Sequence, residues 1–272
     1  MRTSLGSFWR RNLAFFRVGI ITNLEYRVNF ITDALVQPVL TTLIELTLWL
    51  AVFHSQASET IGGFTRAHYF AYAMWAAFMG RITANWMYEF RMIEEIESGS
   101  VNSVLSRPIT YFEYYWSQFS GYKFVTTAVS FCIPLAVELW LDSPSILSRL
   151  PLAIALVFYF LFFVYTMSFC VVGLAFFFNR VYSITMAKNL FLWLLVGELF
   201  PLDLLPEPWK SWLISAPFAA GVYIPAGYVT GRFGPELVLQ GFASVTLGII
   251  VAGAIAAMIW KAGVRHYTGT GA

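Results

Sequence analysis

Two ionisable residues stand deep within apolar runs. Glu45 lies 12 residues beyond Asp33 in one run, and Arg81 lies 13 beyond His68 in the next. At ~1.5 Å of helical rise per residue, with the runs pointing opposite ways, the two fall within about one turn of the same depth. A charge at the centre of a bilayer costs at least about 2.5–3.5 kcal/mol, so it faces a partner or a cavity. The expected chemistry is an ion pair, Glu45 with Arg81, serving either as a lock between two helices or as part of a transport path. Glu89, Glu138 and Glu198 fall near the ends of apolar runs, where headgroups or water reach them.

Catalytic and metal chemistry find little support. His54, His68 and His266 are scattered, and two histidines without a carboxylate pair make a weak metal site. No catalytic or metal-ligating set is expected. Cys132 and Cys170 lie inside apolar runs, so neither a disulfide framework nor a cysteine metal site is implied. The phosphate cradle Gly-x-x-x-x-Gly-Lys-[Ser/Thr] is absent, so this chain is expected to bind no nucleotide cofactor itself.

Two segments carry more information. Between 91 and 108 an acidic helix end, Glu94-Glu95-Ile96-Glu97, runs into Ser98-Gly99-Ser100. Gly99 can stop one helix and Ser98 or Ser100 can cap the next. Val101, Val104 and Leu105 give the next short piece an apolar face, and Pro108 ends it. The loop reads as a short helix presented outside the membrane, or as a solvated connection. Region 201–231 holds Pro201, Pro206, Pro208, Pro217 and Pro225, too broken for one spanning helix. Pro208 suits the start of a short helix carrying Trp209 and Trp212. Two short helices re-entering the outer leaflet are expected; the alternative is a loop resting on the membrane through Trp and Tyr.

The elements that position these residues follow from composition. Of 272 residues, 58% are hydrophobic and 12% charged, about half the charged share of a soluble domain. A net charge of +2 argues against nucleic acid as a partner. Six apolar segments approach the ~20 residues a spanning helix needs: 33–54, 68–90, 119–141, 151–178, 183–200 and 235–260. The expected fold is an all-α integral membrane protein of six transmembrane helices. Twelve of the 17 Lys and Arg fall on one side of that arrangement, Arg180 and Lys188 counted with the loop between the fourth and fifth segments, which places both termini in the cytoplasm. No cleavable signal peptide is expected. Over residues 8–27, Trp9, Leu13, Phe16 and Ile20 recur on one helical face, beside basic residues, as in a helix lying at the membrane surface. The other reading is a basic leader that only sets topology.

Together these motifs resemble one family. Glu97-Ser98-Gly99-Ser100-Val101-Asn102-Ser103-Val104-Leu105-Ser106-Arg107-Pro108 is similar to the signature of permease subunits of type-2 ABC exporters. The stretch Glu198-Leu199-Phe200-Pro201 to Tyr223-Ile224-Pro225 and the opening Leu24-Glu25-Tyr26-Arg27-Val28-Asn29-Phe30 resemble a poorly characterised six-helix branch of it. Ser100-Val101 stands where Thr-Leu is commoner, a conservative departure.

The resemblance implies one permease domain over 1–272, with an amphipathic interface helix in 1–32, a coupling loop in 91–110 and re-entrant outer helices in 201–231. It implies that Glu94, Glu95, Glu97, Gly99, Ser100, Val101, Leu105, Arg107 and Pro108 couple the chain to an ATPase. Pro201, Pro206, Pro208, Trp209, Trp212, Pro217 and Pro225 would form an outer gate. The implied function is ATP-driven export across the bacterial cytoplasmic membrane, and the aromatic residues Phe158, Tyr159, Phe160, Phe162, Phe163 and Tyr165 of the fourth segment fit an amphipathic or lipid-like substrate. Implied partners are a dimer of ABC ATP-binding subunits that holds the ATP and Mg, a second copy or a related permease, and membrane lipids. The rival classes are an intramembrane enzyme acting on lipid and an ATP-independent carrier or channel.

Overall fold

The structure is a computed structural model, and it describes residues 5–25, 27–55, 60–140 and 145–267. In chain order the helices are α1 (Leu5–Glu25), α2 (Arg27–Ile31), α3 (Gln37–Ser55), α4 (Arg66–Thr83), α5 (Trp86–Glu97), α6 (Asn102–Leu105) and α7 (Tyr111–Trp140). There follow α8 (Ser145–Gly173), α9 (Tyr182–Leu195), α10 (Trp209–Ser215), α11 (Tyr223–Val229) and α12 (Pro235–His266). A π turn, Thr32–Val36, joins α2 to α3, and short 3-10 turns flank α8, α10 and α11. A small hairpin of β1 (Thr60–Ile61) and β2 (Phe64–Thr65) is the sole strand pair among the described residues.

Among the described residues four helical stretches are long and apolar enough to cross a membrane: Arg27–Ser55, Tyr111–Glu138, Leu147–Phe176 and Pro235–His266. They answer to the first, third, fourth and sixth expected spans. The second, expected unbroken over 68–90, is interrupted: α4 stops at Thr83, Ala84 is extended (φ −67°, ψ 127°) and α5 begins at Trp86. Neither Pro nor Gly makes this break. The Asn85 amide turns to Ser168 Oγ on α8 at 2.7 Å, while Ala84 N–H and Thr83 Oγ1 both close onto the Gly80 carbonyl. The fifth expected span, 183–200, contains α9, whose 14 residues end at Leu195.

α4 is the axis of the fold. Tyr72, Trp75, Ala76, Met79 and Ile82 are all at most 2% exposed, so α4 is covered nearly all round, as a central helix must be. α3, α7, α8 and α11 pack against it, and α12 lies along α8. α1 crosses α7 at a point where both helices lack a side chain. A Cβ on Gly19 would fall 2.1 Å from the Gln118 carbonyl oxygen, and one on Gly121 would fall 2.2 Å from that of Phe16. Glycine at both positions lets the backbones touch. Ser117 Oγ donates to Asn12 Oδ1 at 2.7 Å beside the crossing. The face α1 turns from the protein mixes exposed apolar residues, Trp9, Leu13, Val18 and Ile21, with Arg10 and Arg17.

Candidate functional site

Arg81 makes its pair with Asp33, not with Glu45. Its guanidinium bonds the Asp33 carboxylate, and Nε donates to the Asp33 carbonyl at 3.0 Å. The break after Thr83 explains the correction. It puts Arg81 in the last turn of α4 rather than mid-span, level with the start of the first span. The π turn widens the backbone there, and Asp33 and Ala34 offer their carbonyls to Arg81 and to Ser130 on α7. Lys123 Nζ donates to the Arg81 carbonyl at 2.8 Å. Glu45 is left buried at 4% exposure, and its Oε1 meets no donor among the described residues.

A second buried cluster holds the far side of the break. Glu89 Oε1 accepts from Lys188 and Ser168, and its Oε2 accepts from Asn189 Nδ2 at 2.9 Å. Lys188 Nζ also donates to Ser168 Oγ at 2.8 Å. The sequence reading placed Glu89 near water and Lys188 in a loop. Instead they join α5, α8 and α9 as a buried ion pair. The signal was there: each sits among apolar residues, and opposite charges so placed find one another. Between the two clusters lies a cavity of about 220 Å³ whose wall includes Thr41, Arg81, Asn85, Asn189, Trp193 and Glu198.

The loop after α5 forms the expected helix–turn–helix. Gly99 has φ +79°, the left-handed conformation glycine adopts freely. The Tyr267 hydroxyl donates to its carbonyl at 3.3 Å. Two expected coupling residues point elsewhere. Glu95 turns inward, taking hydroxyl bonds from Tyr111 at 3.0 Å and from Tyr115. Val101 is 0% exposed and Val104 3%. α6 therefore buries its apolar face, because a single turn of helix rests on the bundle rather than standing off it. Leu105 is half-buried against the core. Glu97 is half-buried and accepts from the Arg180 backbone N–H at 3.1 Å. What the loop presents is polar: Glu94, Ser98, Ser100, Ser103, Ser106, Arg107 and Pro108 are exposed. The Pro108 carbonyl holds Arg11 of α1, which also pairs with Glu113 at 3.4 Å.

At the opposite end, 201–231 folds into α10 and α11 linked by 3-10 turns. The expected gate residues do not share one surface. Pro201 and Pro225 are buried, Pro217 is half-buried, and Pro206, Pro208, Trp209 and Trp212 are exposed. A feature not foreseen clamps this end. Asp203 pairs with Lys210 at 3.0 Å and Arg232 at 3.1 Å. The Arg232 guanidinium lies 3.9 Å over the Phe64 ring and donates to the Gly63 carbonyl at 3.2 Å.

Among the described residues no group of three or more His, Cys, Asp or Glu side chains is arranged to hold a metal ion. No curated protein matches the chain. The family model described as ABC-2 family transporter protein matches residues 39–271, which takes in the break, the Glu89 cluster, the Gly99 loop and the clamped outer end, and Arg81 but not Asp33 of the other cluster. With long apolar helices crossing a membrane more than once and that match over most of its length, the chain belongs to the ABC-2 transporter family, as the multi-pass permease component that works with an ABC ATP-binding subunit and is not an enzyme by itself.

Proposed function

We propose that this permease is the membrane half of an ATP-driven exporter of an amphipathic or lipid-like substrate. It works as a dimer, with itself or with a related permease, in a bacterial cytoplasmic membrane with both termini inside. ATP and Mg sit on the separate ATP-binding subunits. Six crossings serve, the second being α4 continued by α5 and the fifth being α9 with the turns that follow it. α1 lies at the inner interface, and α10 and α11 re-enter the outer leaflet as the gate.

The observation that carries the reading is the turn at Gly99. It ends a helix that is anchored inside by Glu95 and Glu89 and that offers a small polar knob outside. A knob on a stiff shaft passes on a push, which is what coupling a two-state ATPase to a membrane bundle requires. The test follows from which residues are exposed. In proteoliposomes carrying both subunits, the double variant S103E/R107E is expected to lose at least about tenfold in ATP-driven transport, roughly 1.4 kcal/mol of coupling, with the unfolding temperature of the permease unchanged. Unaltered transport would remove the loop from the coupling path.

A further inference from the structure

In the wall of the polar cavity beside the break several hydrogen-bond donors are engaged, while one amide oxygen meets no donor. Arg81 gives Nε and a terminal nitrogen to Asp33. Asn85 Nδ2 goes to Ser168, Asn189 Nδ2 to Glu89, and Thr83 Oγ1 to the Gly80 carbonyl. On the acceptor side, Asn85 is 5% exposed and its Oδ1 meets no donor among the described residues. The orientation of that amide is fixed by its neighbour. Ser168 Oγ already receives Lys188 and gives its one hydrogen to Glu89 or to the Val164 carbonyl, so the amide presents its NH2 to Ser168.

Charge points the same way. The Glu198 carboxylate lies flat over Gly80, where a Cβ would overlap it. It has no ion-pair partner among the described residues. Glu45 is near enough to repel it, and Arg81 near enough to attract it without forming a contact pair. The two cations nearest the cavity, Arg81 and Lys188, are matched by Asp33 and Glu89. Lys123 donates to the Arg81 carbonyl and does not line the cavity. A buried carbonyl oxygen without a donor is costly, so a ligand that supplies N–H groups and positive charge is favoured here.

We propose that this cavity binds the ammonium group of an amphipathic amine, with N–H bonds to Asn85 Oδ1 and the Glu198 carboxylate. The apolar part of the ligand extends along α3 and α9, whose outward faces carry Leu40, Leu43, Leu190 and Phe191. The volume fits a headgroup and the start of a chain. This names the substrate class and rests on the permease reading above.

The test is equilibrium binding to the full chain in lipid nanodiscs, followed by titration calorimetry with four probes of one chain length: hexylammonium, hexyltrimethylammonium, hexyl sulfate and hexanol. Hexylammonium is expected to bind at least about tenfold tighter than each of the others, since the trimethyl probe has charge without N–H, the alcohol a donor without charge and the sulfate the wrong sign. Glu198→Gln and Asn85→Leu should each remove that preference. Equal binding of the alcohol, preference for the sulfate, no binding of any probe, or a preference that survives both substitutions would overturn the proposal. The wild-type preference is decisive even if a variant fails to fold. No ATP-binding subunit is present, so failure to assemble with one, which would strike at the permease reading, leaves this result untouched.

Discussion

Replacing Arg81 with alanine leaves the Asp33 carboxylate inside the bundle without its cation. Losing one partner of a buried pair costs about 3–5 kcal/mol, and thermal unfolding in detergent is expected to show a loss of that order. Exchanging the pair, D33R/R81D, should recover part of it; exchanging Glu45 with Arg81 should recover none. At the other end, Glu207 takes the Ser211 backbone N–H at 3.2 Å and its hydroxyl at 2.6 Å, and these bonds hold its carboxyl below the ordinary 4.5. A folded value lower than the unfolded one means the stabilisation is present above pH 4.5 and fades as pH falls through the folded value. Amide exchange at Ser211 should accelerate over that interval in the wild type, and Glu207→Gln should show no such step. Sequence alone made Glu45 and Arg81 partners because it assumed a regular rise along two unbroken helices. The π turn and the break at Ala84 both violate that assumption; Pro38, whose missing N–H leaves the Asp33 and Ala34 carbonyls free, marks the first, while neither Pro nor Gly marks the second.

Elements that depend on backbone geometry were the more legible ones. Gly99 could be read as a stop because its left-handed φ excludes most side chains, and Gly99→Val is expected to strain the loop by ~1–3 kcal/mol. Measured in the reconstituted transporter, that substitution should lower transport more than it lowers basal ATP hydrolysis. The prolines of 201–231 announced short helices correctly, but not which of them faces outward. The inward face of α6 was not legible, because one turn of helix has no periodicity to read. The α1–α7 crossing was equally hidden, since it depends on Gly19 and Gly121, which are 102 residues apart. Gly121→Leu has no room against the Phe16 carbonyl, so α1 should come away. Protease cleavage within residues 5–25 should then rise sharply, while the rest of the chain keeps its unfolding transition to within the ~1–3 kcal/mol typical of overpacking.

At the scale of the whole molecule the sorted charge of the sequence predicts sidedness. Single cysteines at Arg107 and Arg265 should react with an impermeant thiol reagent from one side of the membrane, and a cysteine at Lys210 from the other. The same sorting hid the buried clusters, because counting basic residues by loop assigned Lys188 to an inner loop. The break between α4 and α5 has a mechanical consequence. α4 is gripped on all sides, whereas α5 is tied near the break through Glu89 to Lys188 on α9 and Ser168 on α8, and near its tip through Glu95 to Tyr111 and Tyr115 on α7. A 12-residue helix is a lever about 18 Å long, so a tilt of some 10° about the Asn85 fulcrum carries its Gly99 tip through roughly 3 Å. A small displacement at the tip is thus geared down to sub-ångström movement at the fulcrum, beside the walls of the polar cavity, with the core helix standing still as the post against which the lever works.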